Sequence, residues 1–137
     1  MIIAVDFDGT LVEHRYPAIG KEIPYAFESL KILQQKGHKL ILWTYRTGDM
    51  LKEAIDYCKN KGIEFWAVNE NYPGENKTDI KSRKINADVY IDDRNIGGLI
   101  PWTEILHILH PEDYDLDSLY EKNVKRHVFK RFLSRFR

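Results

Sequence analysis

Short apolar runs alternate with segments of helical periodicity along this chain, and that alternation restricts its fold more than any other feature. The apolar runs are Ile2–Val5, Lys39–Trp43, Phe65–Val68 and Val89–Ile91. Apolar residues recur at helical spacing after Pro24, Thr47 and Pro101. Strands that alternate with helices form parallel sheets, because each connection must cross over the sheet to reach the next strand. We therefore predict an α/β fold with a parallel sheet and helices on its faces.

Composition limits the other classes of protein that the chain could represent. Its 137 residues, 43% of them hydrophobic, suit one folded domain and argue against disorder. The N-terminus shows neither a basic segment nor a long apolar stretch, so we predict no signal peptide and no membrane span. Cys58 is a single cysteine and cannot form an internal disulfide. Together these features predict a cytoplasmic protein.

Polar side chains follow three of the predicted strands at the point where each strand ends. These residues are, in chain order, Asp6, Asp8, Thr44, Asp92 and Asp93. The carboxyl ends of parallel strands meet at one edge of a sheet, and neighbouring strands lie about 4.8 Å apart, so these side chains can share a pocket. Clustered carboxylates repel one another unless a cation binds between them, and ligands that offer only oxygen favour Mg²⁺ over zinc. The sequence therefore predicts a Mg²⁺ site at this edge.

One lysine completes a set of motifs that resembles a known superfamily. The set comprises Asp6-Phe7-Asp8-Gly9-Thr10, Thr44, Lys84 and Asp92-Asp93. In its order and its placement on strands it is similar to the haloacid dehalogenase-like (HAD) phosphatases, over roughly residues 2–100. The resemblance implies a three-layer Rossmann-like sheet with helices on both faces, and a hydrolase that uses Mg²⁺ to remove phosphate from monoesters. The segments 11–24 and 68–84 are too short for a cap domain of about 50 residues, so we expect no cap domain.

The resemblance implies a role for each catalytic residue. Asp6 would attack phosphorus and form an aspartyl-phosphate. Asp8 would protonate the leaving oxygen and then activate water, and an acid at this position favours esters with an alkoxide leaving group. Thr44 would hydrogen-bond the transferring phosphoryl group, and Lys84 would neutralise charge on Asp6 and the phosphate.

The resemblance also implies the ligands of the metal ion. The Asp6 carboxylate, the Asp8 backbone carbonyl and the final acidic pair would bind Mg²⁺. Comparison with the Gly-Asp pair of other members makes Asp93 the direct ligand and Asp92 the residue behind it, and the reverse order stays open.

Four residues are expected to lie beside the substrate. They are Gly9, Thr10, Tyr45 and Arg46. Gly9 suits a tight turn of the backbone near a ligand. Arg46 can bind a substrate anion near the start of a helix, or it can pair with Asp49 or Glu53 instead.

Two assignments rest on weaker signals. Lys77 and Lys81 are alternatives to Lys84 as the catalytic lysine. His14, Arg15 and Tyr16 lie in the loop after the nucleophile, which forms a flap over the site in the resembling superfamily. We favour a solvated loop at these three positions over a contact with substrate.

Basic residues are concentrated at the C-terminus. Residues 1–121 contain all 21 acidic residues and 14 basic ones, whereas residues 122–137 contain the other 7 basic residues. Apolar residues recur every four positions at Tyr120, Val124, Val128, Phe132 and Phe136, which predicts a basic amphipathic helix. We divide the chain into a HAD-like catalytic core, residues 1–110, and a basic helical tail, residues 111–137. The tail would pack on the acidic body or on a second copy of the chain, with nucleic acid or anionic membrane as less favoured partners.

Two other functions stay open. A response-regulator receiver also places acids, a Thr and a Lys on a parallel sheet, but it needs an Asp after the third strand, where this chain has Asn69. The second alternative is a non-catalytic module that binds phosphate, nucleic acid or protein on a HAD scaffold. Turnover distinguishes an enzyme from both.

Overall fold

The computed structural model describes residues 1–78 and 82–113. Its elements are β1 (Ile2–Val5), α1 (Ala26–Gln35), β2 (Lys39–Leu42), α2 (Gly48–Asn60), β3 (Ala67–Val68), β4 (Val89–Ile91) and α3 (Trp102–Leu109). This order confirms the predicted alternation and the α/β class. The chain divides into two compact units, Met1–Ile100 and Pro101–Arg137. The predicted amphipathic helix of the tail lies outside the described residues.

All four strands pair in parallel, in the order β3-β2-β1-β4. The register places Val5 level with Leu42 on one side and with Ile91 on the other. Leu42 in turn is level with Val68. All four strands therefore end at the same height, so the residues that follow them emerge together. The chain runs from β1 towards β3 on one side and returns to β4 on the other, which makes the β1–β4 boundary the topological switch point of the sheet.

Both faces of the sheet are buried, which explains why the strands are nearly continuous in apolar residues. One face carries Ile3, Val5, Leu40 and Leu42, which are all buried. The other face has Ala4, Ile41 and Ala67 in one apolar cluster with Ile85. Ile85 belongs to the connection between β3 and β4, so this long segment itself covers part of the second face.

The two helices of the first unit form where apolar residues recur at helical spacing. Phe27, Leu30 and Leu33 are the large buried residues of α1. The right-handed crossover rule places α1 and α2 on the same face of the sheet. The ring of Tyr57 in α2 meets that of Phe27 edge to face, with centroids 5.7 Å apart. The chain leaves α1 at Gly37, whose φ of +81° lies in the left-handed region that ends many helices.

The second unit contains α3, which begins directly after Pro101 and ends before Pro111, as predicted. Trp102, Ile105 and Leu106 are its buried residues. Among the described residues, no helix combines the length and the apolar composition needed to cross a membrane.

Candidate functional site

The first strand ends at Asp6, directly at the switch point. The Asp6 backbone N–H donates to the carbonyl of Ile91 at 3.0 Å, which continues the pairing of β1 with β4. The Thr10 hydroxyl donates to Asp6 Oδ2 at 3.1 Å and accepts from the Asp93 backbone N–H at 3.0 Å. Thr10 is fully buried. It therefore links the ends of two strands, and its predicted contact with substrate stays a prediction.

Three carboxylates converge at this edge. Asp6, Asp92 and Asp93 each offer an oxygen, and these oxygens all lie within 4.8 Å of one another. Asp93 Oδ1 is buried and has no hydrogen-bond partner among the described residues. A buried carboxylate oxygen without a donor is costly unless a cation or another donor binds it, so the set fits a Mg²⁺ ion. The carboxylate of Asp8 is not part of this cluster.

The acidic pair after β4 divides into two roles. Asp92 Oδ1 accepts from the Arg94 backbone N–H at 2.7 Å, which forms a local turn. Asp93 instead keeps one oxygen available inside the cluster. This arrangement favours Asp93 as the metal ligand of the pair.

Burial first, and then the neighbouring charges of Asp92 and Asp93, raise the pKa of Asp6 from an ordinary 3.8 to about 7 in all. Hydrogen bonds from the Phe7 backbone and the Thr10 hydroxyl act in the opposite direction. Like charges at short range and removal from water both disfavour the ionised form. A cation bound by the cluster would reverse this balance and favour the carboxylate.

Gly9 is needed because of Asp93. Its φ is +89°, and a Cβ built at this position would lie 2.3 Å from Asp93 Oδ2. A side chain there would occupy the space that the carboxylate fills. Gly9 thus admits Asp93 to the site, a requirement that its place in the motif could not reveal.

Asp8 is held by Arg46 in a two-point ion pair. Arg46 Nε donates to Asp8 Oδ2 and Nη2 to Oδ1, both at 2.7 Å. Nη1 donates to the carbonyl of Pro17 at 3.0 Å, and Nη2 also donates to that of Ala18 at 2.9 Å. The Arg46 side chain is 0% exposed, whereas that of Asp8 is 11% exposed. Arg46 therefore pairs with Asp8 rather than with Asp49 or Glu53, and its predicted contact with substrate stays a prediction.

The end of β2 presents Thr44 to the same edge. The Thr44 backbone N–H donates to Asn69 Oδ1 at 2.8 Å, and its hydroxyl accepts from the Arg46 backbone N–H at 3.2 Å. Asn69 follows β3 with a φ of +51°. Sequence reasoning used Asn69 only to exclude a receiver and missed its supporting contact. The available signal was that Asn tolerates the left-handed region better than most residues.

A cavity of ≈ 600 Å³ opens over these groups. Its lining residues are Asp6, Asp8, His14, Tyr16, Trp43, Thr44, Tyr45, Asp92 and Arg94. Tyr45 lies there as predicted and is 91% exposed. His14 and Tyr16 also line the cavity, although we favoured a solvated loop for them. Trp43 was not predicted as a site residue, because it reads as the last apolar position of a strand.

The structure does not bring Lys84 into this set. Lys84 is exposed, and its Nζ lies 5.4 Å from the centroid of the Tyr90 ring. Lys77 is exposed as well, and Lys81 lies outside the described residues. Arg94 and His14 are the basic side chains that line the cavity within the described part of the chain, and Arg94 Nη2 lies 3.4 Å from His14 Nε2.

Fold and site together define an α/β, Rossmann-like protein with an acidic pocket at its switch point. No protein-family model matches the chain, and neither does any curated protein. A solved structure of a conserved protein coded by a locus of Bacteroides thetaiotaomicron is 52% identical, with a TM-score of 0.76. The match covers 88% of this chain and 97% of that one. The chain belongs to the family of that conserved protein.

Proposed function

We propose that this protein is a Mg²⁺-dependent phosphomonoester hydrolase that acts through an aspartyl-phosphate on Asp6. The observation that carries the proposal is the separation of two acids by environment. Asp6 lies in a carboxylate cluster with Asp93, whose Oδ1 has no hydrogen-bond partner among the described residues, while Asp8 lies outside that cluster and pairs with Arg46. A cation bound by the cluster would keep Asp6 ionised as a nucleophile, and Asp8 lines the same cavity as a second carboxyl group that can exchange a proton. A three-layer architecture without a cap domain belongs to the same proposal.

Asp6 and Asp93 would hold the Mg²⁺ ion together with the Asp8 backbone carbonyl, with Asp92 behind Asp93. When bound, the ion supplies positive charge that keeps Asp6 ionised and offsets the charge of the phosphate. The affinity of the carboxylate cluster of Asp6, Asp92 and Asp93 for Mg²⁺ can be measured without substrate, so metal binding can be tested separately from catalysis.

In the first step, a carboxylate oxygen of Asp6 attacks phosphorus and the ester P–O bond breaks. Asp8, a carboxylate in its ion pair with Arg46, takes a proton from the phosphate monoanion of the substrate and gives it to the departing oxygen, so the product leaves as a neutral alcohol and Asp8 is a carboxylate again. In the second step, water attacks phosphorus while Asp8 takes its proton. The P–O bond to Asp6 then breaks and the proton passes from Asp8 to the phosphate, which releases phosphate and restores both carboxylates. Thr44 at the edge of the cavity would donate to the phosphoryl oxygens throughout.

The proposed reaction also needs a lysine to neutralise charge on Asp6 and the phosphate. Lys84 would have to turn from the Tyr90 ring towards the cavity to neutralise the phosphate. Lys77 and Lys81 stay as alternatives. Lys→Ala variants at each of the three positions would identify the residue by the loss of kcat.

The test is hydrolysis of an aryl phosphate by wild type, with Mg²⁺ and with EDTA. We expect turnover that needs Mg²⁺ and that falls at least about a thousandfold in Asp6→Asn. Asp56→Asn, an exposed acid on α2, is the matched control and should match wild type. If wild type with Mg²⁺ hydrolyses neither this ester nor a panel of other phosphate esters, the non-catalytic binding module replaces the enzyme.

A further inference from the structure

Three aromatic side chains line the cavity, Tyr16, Trp43 and Tyr45, and we call them the aromatic wall. They lie close to the carboxylates of Asp6 and Asp8. Tyr45 is 91% exposed and Tyr16 is 40% exposed. Large aromatic surfaces left in water beside polar reactive groups are typical of sites where a ligand covers them.

The fold holds this wall in place. Trp43 and Tyr45 flank Thr44 directly after β2, so the end of a central strand places their backbone at the edge of the cavity. Tyr16 lies next to the anchored carbonyl of Pro17, and its ring centroid is 5.4 Å from the buried guanidinium of Arg46. The ion pair that positions Asp8 therefore also positions one side of the wall. Aromatic side chains have only two rotatable bonds, so ordering them against a flat ligand costs little conformational entropy.

Asp8 and the aromatic wall favour different features of the substrate. Asp8 as a proton donor is needed when the leaving group is an alkoxide, whereas a phenolate departs readily without one. The aromatic wall favours a ligand with a planar ring. An aryl phosphate meets only the second requirement and a simple sugar phosphate only the first. An ester of an aliphatic alcohol that also carries a planar heterocycle meets both.

We propose that the substrate is a nucleoside monophosphate whose base stacks on Tyr45 and the neighbouring aromatic residues. This inference rests on the proposed function, because it places the phosphate beside Asp6. The cavity of ≈ 600 Å³ falls within the range of about 300–1,000 Å³ typical of small-molecule sites.

The test compares adenosine 5′-monophosphate with ribose 5-phosphate, two primary phosphate esters of which only the first carries a base. We expect kcat/KM to be at least about tenfold higher for the nucleotide, the effect of stacking one base. Tyr45→Ala should remove most of this preference, and Tyr45→Phe should keep it. Tyr72→Ala is the control, since Tyr72 is 51% exposed but does not line the cavity.

Equal kcat/KM for the two esters in wild type would overturn the stacking proposal and leave phosphatase activity standing. The same holds if Tyr45→Ala lowers both values by the same factor. If neither ester nor the wider panel is hydrolysed, the proposed function fails instead. Calorimetric titration of Asp6→Asn with the two esters and Mg²⁺ then decides the base preference: tighter nucleotide binding supports it, and equal affinity overturns it.

Discussion

At the scale of single residues, Asp6 and Asp8 show how two identical side chains acquire different chemistry. They are two positions apart, yet Asp6 is drawn into a cluster of acids while Asp8 is bound by a guanidinium. Burial raises the pKa of Asp6 to about 7 in the absence of a cation. The environment of each carboxyl group, rather than its identity, sets its part in the proposed reaction.

Arg46→Lys tests whether the ion pair positions Asp8. Lysine keeps the positive charge but cannot form two parallel hydrogen bonds to one carboxylate, nor reach both loop carbonyls at once. We expect kcat to fall by up to about 100-fold with a smaller change in KM, because a misplaced acid slows the chemical step. The measurement is steady-state hydrolysis of an alkyl phosphate, together with thermal unfolding.

Arg83→Lys is the matched control, because Arg83 is exposed and does not line the cavity. A kcat for Arg46→Lys equal to that of wild type, in a variant that is folded, would contradict the positioning role. A loss of thermal stability with unchanged kcat would assign Arg46 to structure alone.

At the scale of elements, the shared height of the strand ends creates the site. Asp6 N–H donates to Ile91 and Trp43 N–H donates to Val5, so pairing continues one residue beyond each strand. The Asn69 N–H likewise donates to the Leu42 carbonyl at 2.8 Å, which continues the pairing of β3 with β2. The ends of three neighbouring strand pairs are therefore tied together before any substrate binds.

Asn69 gives a test of how β3 supports β2. Asn69→Gly keeps the left-handed backbone at φ +51° but removes the acceptor for Thr44 N–H, so it should lower the free energy of unfolding by about 1 kcal/mol. Asn69→Ala also places a Cβ in the left-handed region, which costs about 1–2 kcal/mol more. Urea unfolding measures both. Equal stabilities for the two variants would show that the backbone conformation contributes nothing.

The sequence predicted the elements well where local patterns decide them. β1 and β4 have the predicted bounds, and β1 is a central strand in which Ile3, Ala4 and Val5 are buried. β3 is shorter than predicted, Ala67–Val68 rather than Phe65–Val68, because its register with β2 pairs only Ala67 and Val68. The carboxylate cluster followed from the same rule, because backbone topology alone brings strand ends together.

Sequence patterns could not predict which side chains contact each other. Arg46 and Asp8 are 38 residues apart, and their pairing depends on how the loop at Pro17 folds back over the site. No periodic signal marks such a contact. Lys84 lies in the long segment between β3 and β4, where no regular element fixes the direction of a side chain. Its predicted place beside Asp6 stays a prediction.

At the scale of the whole molecule, the carboxylate cluster couples folding to pH. The folded-state pKa of Asp6, about 7, lies above its ordinary 3.8, so the folded protein binds more protons between these values. Without metal, the contribution of Asp6 to stability is therefore greatest at the acidic end of this window and falls as pH rises from about 4 to about 7. A ligand that binds only the folded state reverses the loss, so Mg²⁺ should raise Tm most at neutral pH and above.

Thermal unfolding from pH 5 to 8 measures this dependence, with EDTA and with Mg²⁺. Asp6→Asn should show a weaker decline in EDTA than wild type, because it carries no titrating group at the cluster. Asp56→Asn should keep the wild-type slope. Identical slopes for Asp6→Asn and wild type would show that Asp6 does not titrate in this window.

The buried guanidinium of Arg46 also limits how this protein can diverge. If Asp8 were lost by mutation, Arg46 would remain as a charge without its carboxylate in a place that water does not reach, a change that typically costs about 3–5 kcal/mol. Loss of Arg46 would leave two loop carbonyls and an acid without donors. Natural homologues should therefore replace positions 8 and 46 together or keep both. A homologue that lost both Asp8 and Arg46 would also need a different conformation of the loop around Pro17, because Arg46 donates hydrogen bonds to two carbonyls of that loop.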